Sequence, residues 1–95
     1  PVPIVQLAPP SPNPFIGQAS LRFSVPEASR ATLSVYSAAG RLVTTLLDGD
    51  VSRGEHEVVW DGLDCSGGDC APGIYFARLS ADPSGSAQTK LVKLR

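Results

Sequence analysis

The chain has 95 residues and a mass of 9.9 kDa, which suits one domain with a small core. Pro and Gly occur nine times each, so long helices are not expected. Eight Lys and Arg against nine Asp and Glu give a net charge of −1, and this excludes the basic field that nucleic-acid binding needs. No apolar run has the roughly 18–20 residues of a transmembrane helix. The lack of Met and the start at Pro1 indicate a piece of a longer protein.

The first 14 residues contain six of the nine prolines. We expect residues 1–12 to be a proline-rich linker that includes an edge strand from about Ile4 to Ala8, because proline cannot donate a hydrogen bond to a sheet. Residues 13–95 are expected to form the folded domain.

Short segments of alternating apolar and polar residues follow, separated by turn residues. Residues 20–25 and 31–37 alternate clearly, whereas the inward face of residues 41–47 is ambiguous. Asp48-Gly49-Asp50 is typical of a turn. Further strands are predicted over residues 55–61, 74–80 and 88–95, and further turns at 38–40 and 82–85.

About seven short strands without a helical period predict an all-β fold, namely an immunoglobulin-like antiparallel β-sandwich. Strand parity directs one set of large side chains inward, and these form the predicted core: Phe23, Val35, Val58, Trp60, Tyr75 and Leu79. Trp60 is expected at the centre, because aromatic side chains bury the most area per residue.

Both cysteines, Cys65 and Cys70, lie in a long loop over residues 62–73. Two glycines between them let the loop curl, so we predict a disulfide worth on the order of 2 kcal/mol. A disulfide indicates an oxidising compartment outside the cytoplasm. Two free thiols are the alternative, and a zinc site lacks a sufficient set of ligands.

Catalytic patterns are weak. His56 shares a strand face with Val58 and Trp60, which is typical of a packed residue rather than a general base. Glu55 and Glu57 fit a solvated strand face. We therefore predict a domain that is not an enzyme and needs no cofactor.

Three aspartates, Asp61, Asp64 and Asp69, flank or lie within the cysteine loop. Calcium favours carboxylates on flexible loops, but the spacing matches no EF-hand. Turn formation is the favoured interpretation of these residues, and calcium binding is the alternative.

A set of ordered fragments resembles a known family over about residues 9–95. The fragments are Pro12-Asn13-Pro14-Phe15, Leu21–Pro26, Val35-Tyr36, Gly40–Val43, Gly54–His56, Trp60–Asp64, Gly73–Tyr75 and Lys90–Leu94. They resemble the immunoglobulin-like module of the FlgD hook-cap family, and equally the C-terminal type A sorting domains of the bacterial type IX secretion system. The motif residues carried by the resemblance are Asn13, Pro14, Phe15, Gly40, Gly54, Asp61, Gly62 and Gly73.

The resemblance implies a non-catalytic C-terminal domain of a secreted bacterial protein, which sorts an attached upstream cargo domain through the outer membrane and anchors it. It implies a secreted or cell-surface location reached through the periplasm. The outer-membrane secretion machinery is the implied partner. Such machinery would capture the last strand by strand addition, and the strand comprises Lys90, Leu91, Val92, Lys93 and Leu94.

Two alternatives stay open. One is an accessory module of a secreted hydrolase, which stabilises the enzyme or contacts polysaccharide. With Trp60 and Tyr75 assigned to the core, only Tyr36 and Phe76 remain as surface aromatics, and this weakens the alternative. The other is a flagellar hook-capping scaffold, for which a disulfide would be unusual.

Overall fold

The computed structural model is a sandwich of two antiparallel sheets built from seven strands. The structure describes residues 5–82 and 85–94, and no helix occurs within those ranges. The strands are β1 (Gln6–Leu7), β2 (Ala19–Val25), β3 (Ser29–Ser37), β4 (Leu42–Val51), β5 (Gly54–Trp60), β6 (Gly73–Asp82) and β7 (Gly85–Lys93). The predicted immunoglobulin-like all-β fold is confirmed.

The two sheets differ in width. One has the strand order β1-β2-β5 and the other β4-β3-β6-β7. The last strand, β7, therefore lies at an edge of the wider sheet, beside β6. At such an edge, the outer backbone N–H and C=O groups of β7 have no neighbouring strand in the sheet and can pair with another segment.

The core lies between the sheets and follows strand alternation. The buried residues come from every other position of β2, β3 and β6, with one large aromatic from β5. They include Leu21, Phe23, Val25, Ala31, Leu33, Val35, Trp60, Tyr75, Ala77 and Leu79. Of the predicted core residues, Val58 is half-buried and packs against this cluster.

Trp60 is enclosed by two other aromatic rings. Its ring centroid is 5.5 Å from that of Phe15 and 5.2 Å from that of Tyr75, and both pairs meet edge to face. Its indole Nε1 donates a hydrogen bond to the carbonyl oxygen of Leu63 at 2.9 Å. Burial thus costs the indole no hydrogen bond.

The predicted turn at Asp48-Gly49-Asp50 is wrong. These residues continue β4, because Asp48 pairs with Thr32 and Gly49 with Ala31 on β3. The chain instead reverses around residues 52–53, and Gly54 starts β5 with a φ of 119°. That left-handed backbone region favours glycine.

Two irregularities in the pairing of β3 with β4 explain why the inward face of β4 was ambiguous in the sequence. The register shifts between Leu33 and Ser34 and again between Val35 and Tyr36. Each shift adds one residue on β4, and the added residues, Leu46 and Val43, pack against the core. Such bulges break the two-residue period on which a sequence prediction depends.

The N-terminal strand is shorter than predicted. β1 pairs only Gln6 and Leu7 with β2, and Val5 joins the core. Residues 5–8 are therefore part of the sandwich, whereas the boundary at residue 12 stays a prediction. Ile4, Pro83 and Ser84 of the predicted turn, and Arg95 lie outside the described residues.

Candidate functional site

The candidate site is the outer edge of β7, which the sequence predicted to be available for strand capture. The side chain of Asn13 covers part of this edge. Its Nδ2 donates to the carbonyl oxygen of Lys90 at 3.2 Å, and its Oδ1 accepts from the amide of Val92 at 2.9 Å. One amide side chain thus makes the two bonds that a neighbouring strand would otherwise supply.

Phe15 continues the cover along the same edge. Its amide donates to the carbonyl oxygen of Val92 at 2.9 Å, and its own carbonyl accepts from the amide of Leu94 at 2.8 Å. Its ring is 1% exposed and packs on Trp60. The Asn-Pro-Phe segment, residues 13–15, therefore ties the last strand to the core.

This arrangement changes what the predicted sorting strand can offer. Backbone groups of Lys90, Val92 and Leu94 on the outer edge already have partners within the chain. Alternate residues of a strand direct their backbone groups toward opposite neighbouring strands. The backbone groups of Leu91 and Lys93 are therefore directed toward β6, not toward the outer edge. Strand addition at this segment would require the Asn-Pro-Phe segment to leave.

We expect Asn13→Ala to loosen the β7 edge. Loss of two hydrogen bonds, each worth about 0.5–1.5 kcal/mol net, should lower the free energy of unfolding by about 1–3 kcal/mol. The Val92 amide, which loses its acceptor, should exchange with deuterium faster, as measured by NMR. Gln18→Ala, an exposed substitution in the same loop, is the control. Unchanged exchange at Val92 in Asn13→Ala would contradict the assigned contact.

Lys93 is buried, which the sequence did not predict. Its side chain is 1% exposed, and its Nζ lies 3.4 Å from Oδ1 of Asp69, which is 76% exposed. Nζ has no hydrogen bond of good geometry with the described residues. The ammonium group is therefore held by one ion pair at the end of the sandwich, while its aliphatic stem fills space in the core.

Gly62 makes room for that stem. A Cβ at this position would lie 2.8 Å from Cε of Lys93 and 3.0 Å from the carbonyl oxygen of Gly17, and φ is +78°. The motif glycine is thus required for two reasons, the left-handed backbone and the close approach of Lys93.

Gly62→Ala should therefore destabilise the domain more than Gly40→Ala. Gly40 has a similar φ of +87°, but nothing lies within 4 Å of an added Cβ. Gly40→Ala should cost only the backbone strain of about 1–2 kcal/mol, and Gly62→Ala the same strain plus displacement of Lys93. Thermal unfolding of both variants measures the difference, and equal losses would show that the contact with Lys93 does not matter.

Two of the three loop aspartates, Asp61 and Asp64, accept hydrogen bonds from their own loop. Oδ1 of Asp64 accepts from the Ser66 amide at 2.9 Å, the Ser66 hydroxyl at 2.8 Å and the Gly68 amide at 2.9 Å. These bonds, with that from the hydroxyl the largest cause, lower the pKa of the Asp64 carboxyl. Asp61 accepts from the Leu63 amide at 3.1 Å.

No group of three or more metal-binding side chains occurs among the described residues. Asp61 and Asp64 bond to their own loop, and Asp69 pairs with Lys93. The calcium alternative for these aspartates therefore gains no support from the geometry.

The predicted disulfide is wrong, because Cys65 and Cys70 are both free thiols. Leu63 pairs with Asp69, and the amide of Cys70 donates to the carbonyl oxygen of Gly62. This register sets Cys70 opposite Gly62 rather than opposite Cys65, and the Cys65 amide bonds instead to Val43 on β4. The carboxylate of Asp64 organises the loop in place of a disulfide.

The two thiols should differ in reactivity. Cys65 is exposed, whereas Cys70 is partly buried, and burial followed by the nearby Asp64 carboxylate raises the pKa of the Cys70 thiol. The thiolate is the reacting form, so a thiol reagent at neutral pH should modify Cys65 quickly and Cys70 slowly. Cys65→Ser should retain the slow phase alone, and Cys70→Ser the fast phase alone. No reaction without a reductant would contradict the free-thiol state.

The remaining predicted residues have structural contacts. His56 is half-buried, its ring stacks on Phe23 at 5.3 Å, and Nε2 bonds to the carbonyl oxygen of Ser52 at 2.7 Å. Glu57 pairs with Arg22 at 3.2 Å on the exposed face of the narrower sheet. The contacts of His56 with Phe23 and Ser52 are those of a packed strand residue.

Turn glycines of the motif set lie where the chain changes direction. Gly40 follows β3, and Gly73 begins β6 with a φ of 151°. The hydroxyl of Tyr75 donates to the carbonyl oxygen of Ala71 before β6. With the bond from Trp60 to Leu63 after β5, both ends of the cysteine loop are fixed.

The part of the chain that the structure describes contains no helix that could span a membrane.

Solved structures with a similar fold come from secretion and flagellar proteins. Dimeric latent PorU from Porphyromonas gingivalis aligns with a TM-score of 0.76 and 21% identity, covering 98% of this chain and 9% of that chain. PorZ of the same organism, a surface component essential to the type-IX secretion system, aligns with a TM-score of 0.63 and 20% identity over 96% of this chain and 11% of its own. At these identities the likeness establishes the fold.

FlgD from P. aeruginosa aligns with a TM-score of 0.61 and 28% identity, covering 78% of this chain and 60% of that chain. By contrast, the present chain covers only about a tenth of the length of PorU and of PorZ. No curated protein matches the sequence significantly. The model of the FlgD Ig-like domain matches residues 13–85. This range begins at the Asn-Pro-Phe segment and covers more than half of the sequence, so the chain belongs to the FlgD Ig-like domain family.

Proposed function

We propose that this domain is the non-catalytic C-terminal domain of a secreted bacterial protein, and that it sorts an attached cargo through type IX secretion and anchors it at the cell surface. The observation that carries the proposal is the recurrence of this fold, over nearly its whole length, within the larger proteins PorU and PorZ. The described side chains support a passive role, because His56, Asp61 and Asp64 are engaged in local hydrogen bonds.

Export of a reporter tests the proposal. Residues 1–95 are fused behind a periplasmic reporter enzyme, and the fusion is expressed in a host with the type IX machinery. The expected result is reporter activity at the cell surface or in the medium. The reporter alone, and the fusion in a host whose machinery is disabled, are the controls. Retention of the fusion in the periplasm of the competent host would overturn the proposal.

The carbohydrate alternative loses support from one contact. Arg78 lies over the ring of Tyr36, with Cζ 5.0 Å from the centroid. The guanidinium therefore occupies the ring face on which a sugar would stack, and Phe76 beside it is only partly exposed. The flagellar scaffold rests on the likeness to FlgD, and no contact within this domain favours it over sorting.

A further inference from the structure

The outer face of the wider sheet carries an apolar area next to the last strand. Register places Ile74 opposite Val92, Phe76 opposite Lys90, and Tyr36 between Leu42 and Phe76. Ile74 is 44% exposed and Leu42 53%. These side chains form two adjacent rows: one crosses all four strands from Leu42 to Lys90, and the other joins Ile74 on β6 to Val92 on β7.

The area extends beyond the end of β7. Phe15 and Lys93 pair and are both buried, whereas their successors Ile16 and Leu94 are exposed. These two side chains are 64% and 50% exposed. We call Leu42, Ile74, Phe76, Val92 and Leu94 the apolar face. Contiguous exposed apolar area of this kind marks interaction sites in soluble proteins.

Cations border the apolar face. Lys90 lies in the same row as Phe76, and Arg78 follows in the next row, opposite Gln88. Among the described residues, acidic side chains on this side of the sheet lie at its other end, where Asp48 pairs with Arg30 and Asp82 is opposite Arg30. The apolar face is thus complementary to an apolar surface that carries carboxylates.

A second copy of the chain fits this surface poorly. A two-fold contact confined to the apolar face would leave Lys90 and Arg78 of each copy at its border, while the described acidic side chains of this sheet face lie at its other end. A lipid bilayer also fits poorly, because Phe76 and Val92 are half-buried and offer little side chain for insertion. A protein surface that pairs apolar side chains with carboxylates is the better match.

We propose that the apolar face, with Lys90 and Arg78, docks a protein partner whose surface combines apolar and acidic side chains. The inference rests on the proposed function and deepens it: the partner belongs to the export machinery. Because Asn13 and Phe15 occupy the backbone edge of β7, the partner reads the outward side chains Lys90, Val92 and Leu94 of the folded domain. Recognition by side chains leaves the sandwich intact, unlike strand addition.

The test uses the exported reporter fusion with substitutions on β6 and β7. Ile74→Glu combined with Lys90→Glu should lower export by about tenfold or more, as expected when the centre of an interface is charged. Ser80→Glu, an exposed position on the same strand β6 but at the other end of the sheet, should leave export unchanged. Lys90→Glu alone should give an intermediate loss, and it tests the charge with little risk to folding because the side chain is exposed.

Each outcome has one meaning. If the unsubstituted fusion is not exported, the proposed function fails. If that fusion is exported and every variant, checked for folding by thermal unfolding, is exported equally well, the docking proposal is overturned. Binding of the fusion to anionic phospholipid vesicles that Ile74→Glu abolishes would assign the face to lipid instead. A dimer in sedimentation experiments that Ile74→Glu dissociates would assign it to a second copy.

Discussion

Replacing Trp60 with Ala should lower the free energy of unfolding by about 3–5 kcal/mol. The indole is fully buried, contacts the rings of Phe15 and Tyr75, and holds the Leu63 carbonyl through Nε1. Its removal leaves a cavity between the sheets and an acceptor without its donor. Small domains have total stabilities of about 5–15 kcal/mol, so Trp60→Ala should lose a large part of the stability of this domain and its melting temperature should fall sharply.

Val59→Ala is the matched control for this substitution. Val59 precedes Trp60 on β5 but is 45% exposed on the opposite face of the sheet. It should lose about 1 kcal/mol or less. Denaturant unfolding followed by circular dichroism measures both variants, and a Trp60→Ala loss as small as that of Val59→Ala would contradict the central position of the indole.

Substitution of Lys93 should have the second large effect on the free energy of unfolding, and the size of the effect should depend on the residue that replaces it. Lys93→Ala deletes a long buried stem beside Gly62 and should cost about 2–4 kcal/mol, as for other large-to-small core changes. Lys93→Met keeps most of the volume but removes the ammonium. Apolar replacement of a buried ion pair is often neutral or stabilising, so Lys93→Met should retain the thermal stability of the original chain.

The comparison separates packing from charge. Asp69 is largely exposed and remains hydrated after either substitution, so it adds little to the difference between them. If Lys93→Met is as unstable as Lys93→Ala, the ion pair rather than the aliphatic stem stabilises this end of the sandwich. Thermal unfolding of both variants at one pH and ionic strength provides the measurement.

The sequence predicted the parts of the fold that strand alternation controls. The inward faces of β2, β3 and β6 followed from a strict two-residue period, and Trp60 followed from its size and parity. The prediction failed at β4, where two bulges interrupt the period and Asp48-Gly49-Asp50 lies in a strand because β3 extends opposite it. Pairing with a distant strand overrides local turn preference there.

The candidate site was only partly visible in the sequence. Residues 90–94 and the Asn-Pro-Phe segment were both noted, but nothing local relates Asn13 to Val92, which lie 79 positions apart. Burial of Lys93 was equally hidden, since lysine is ordinarily exposed. The cysteine loop misled the prediction because chain flexibility permitted a disulfide, whereas the hydrogen bonds of Asp64 select a different register.

The contact of Asn13 with Lys90 and Val92 also limits how early during synthesis the domain can complete its folding. The bonded residues are 77 and 79 positions apart, so nearly the whole segment must leave the ribosome before these bonds can form. Contacts between such distant residues slow folding, because their loop must close first. In a nascent chain that ends before residue 90, Phe15 lacks its backbone partners Val92 and Leu94. The ring of Phe15, which packs on Trp60, is then held less firmly. Completion of synthesis through residue 94 is thus a precondition for joining the Asn-Pro-Phe segment to β7.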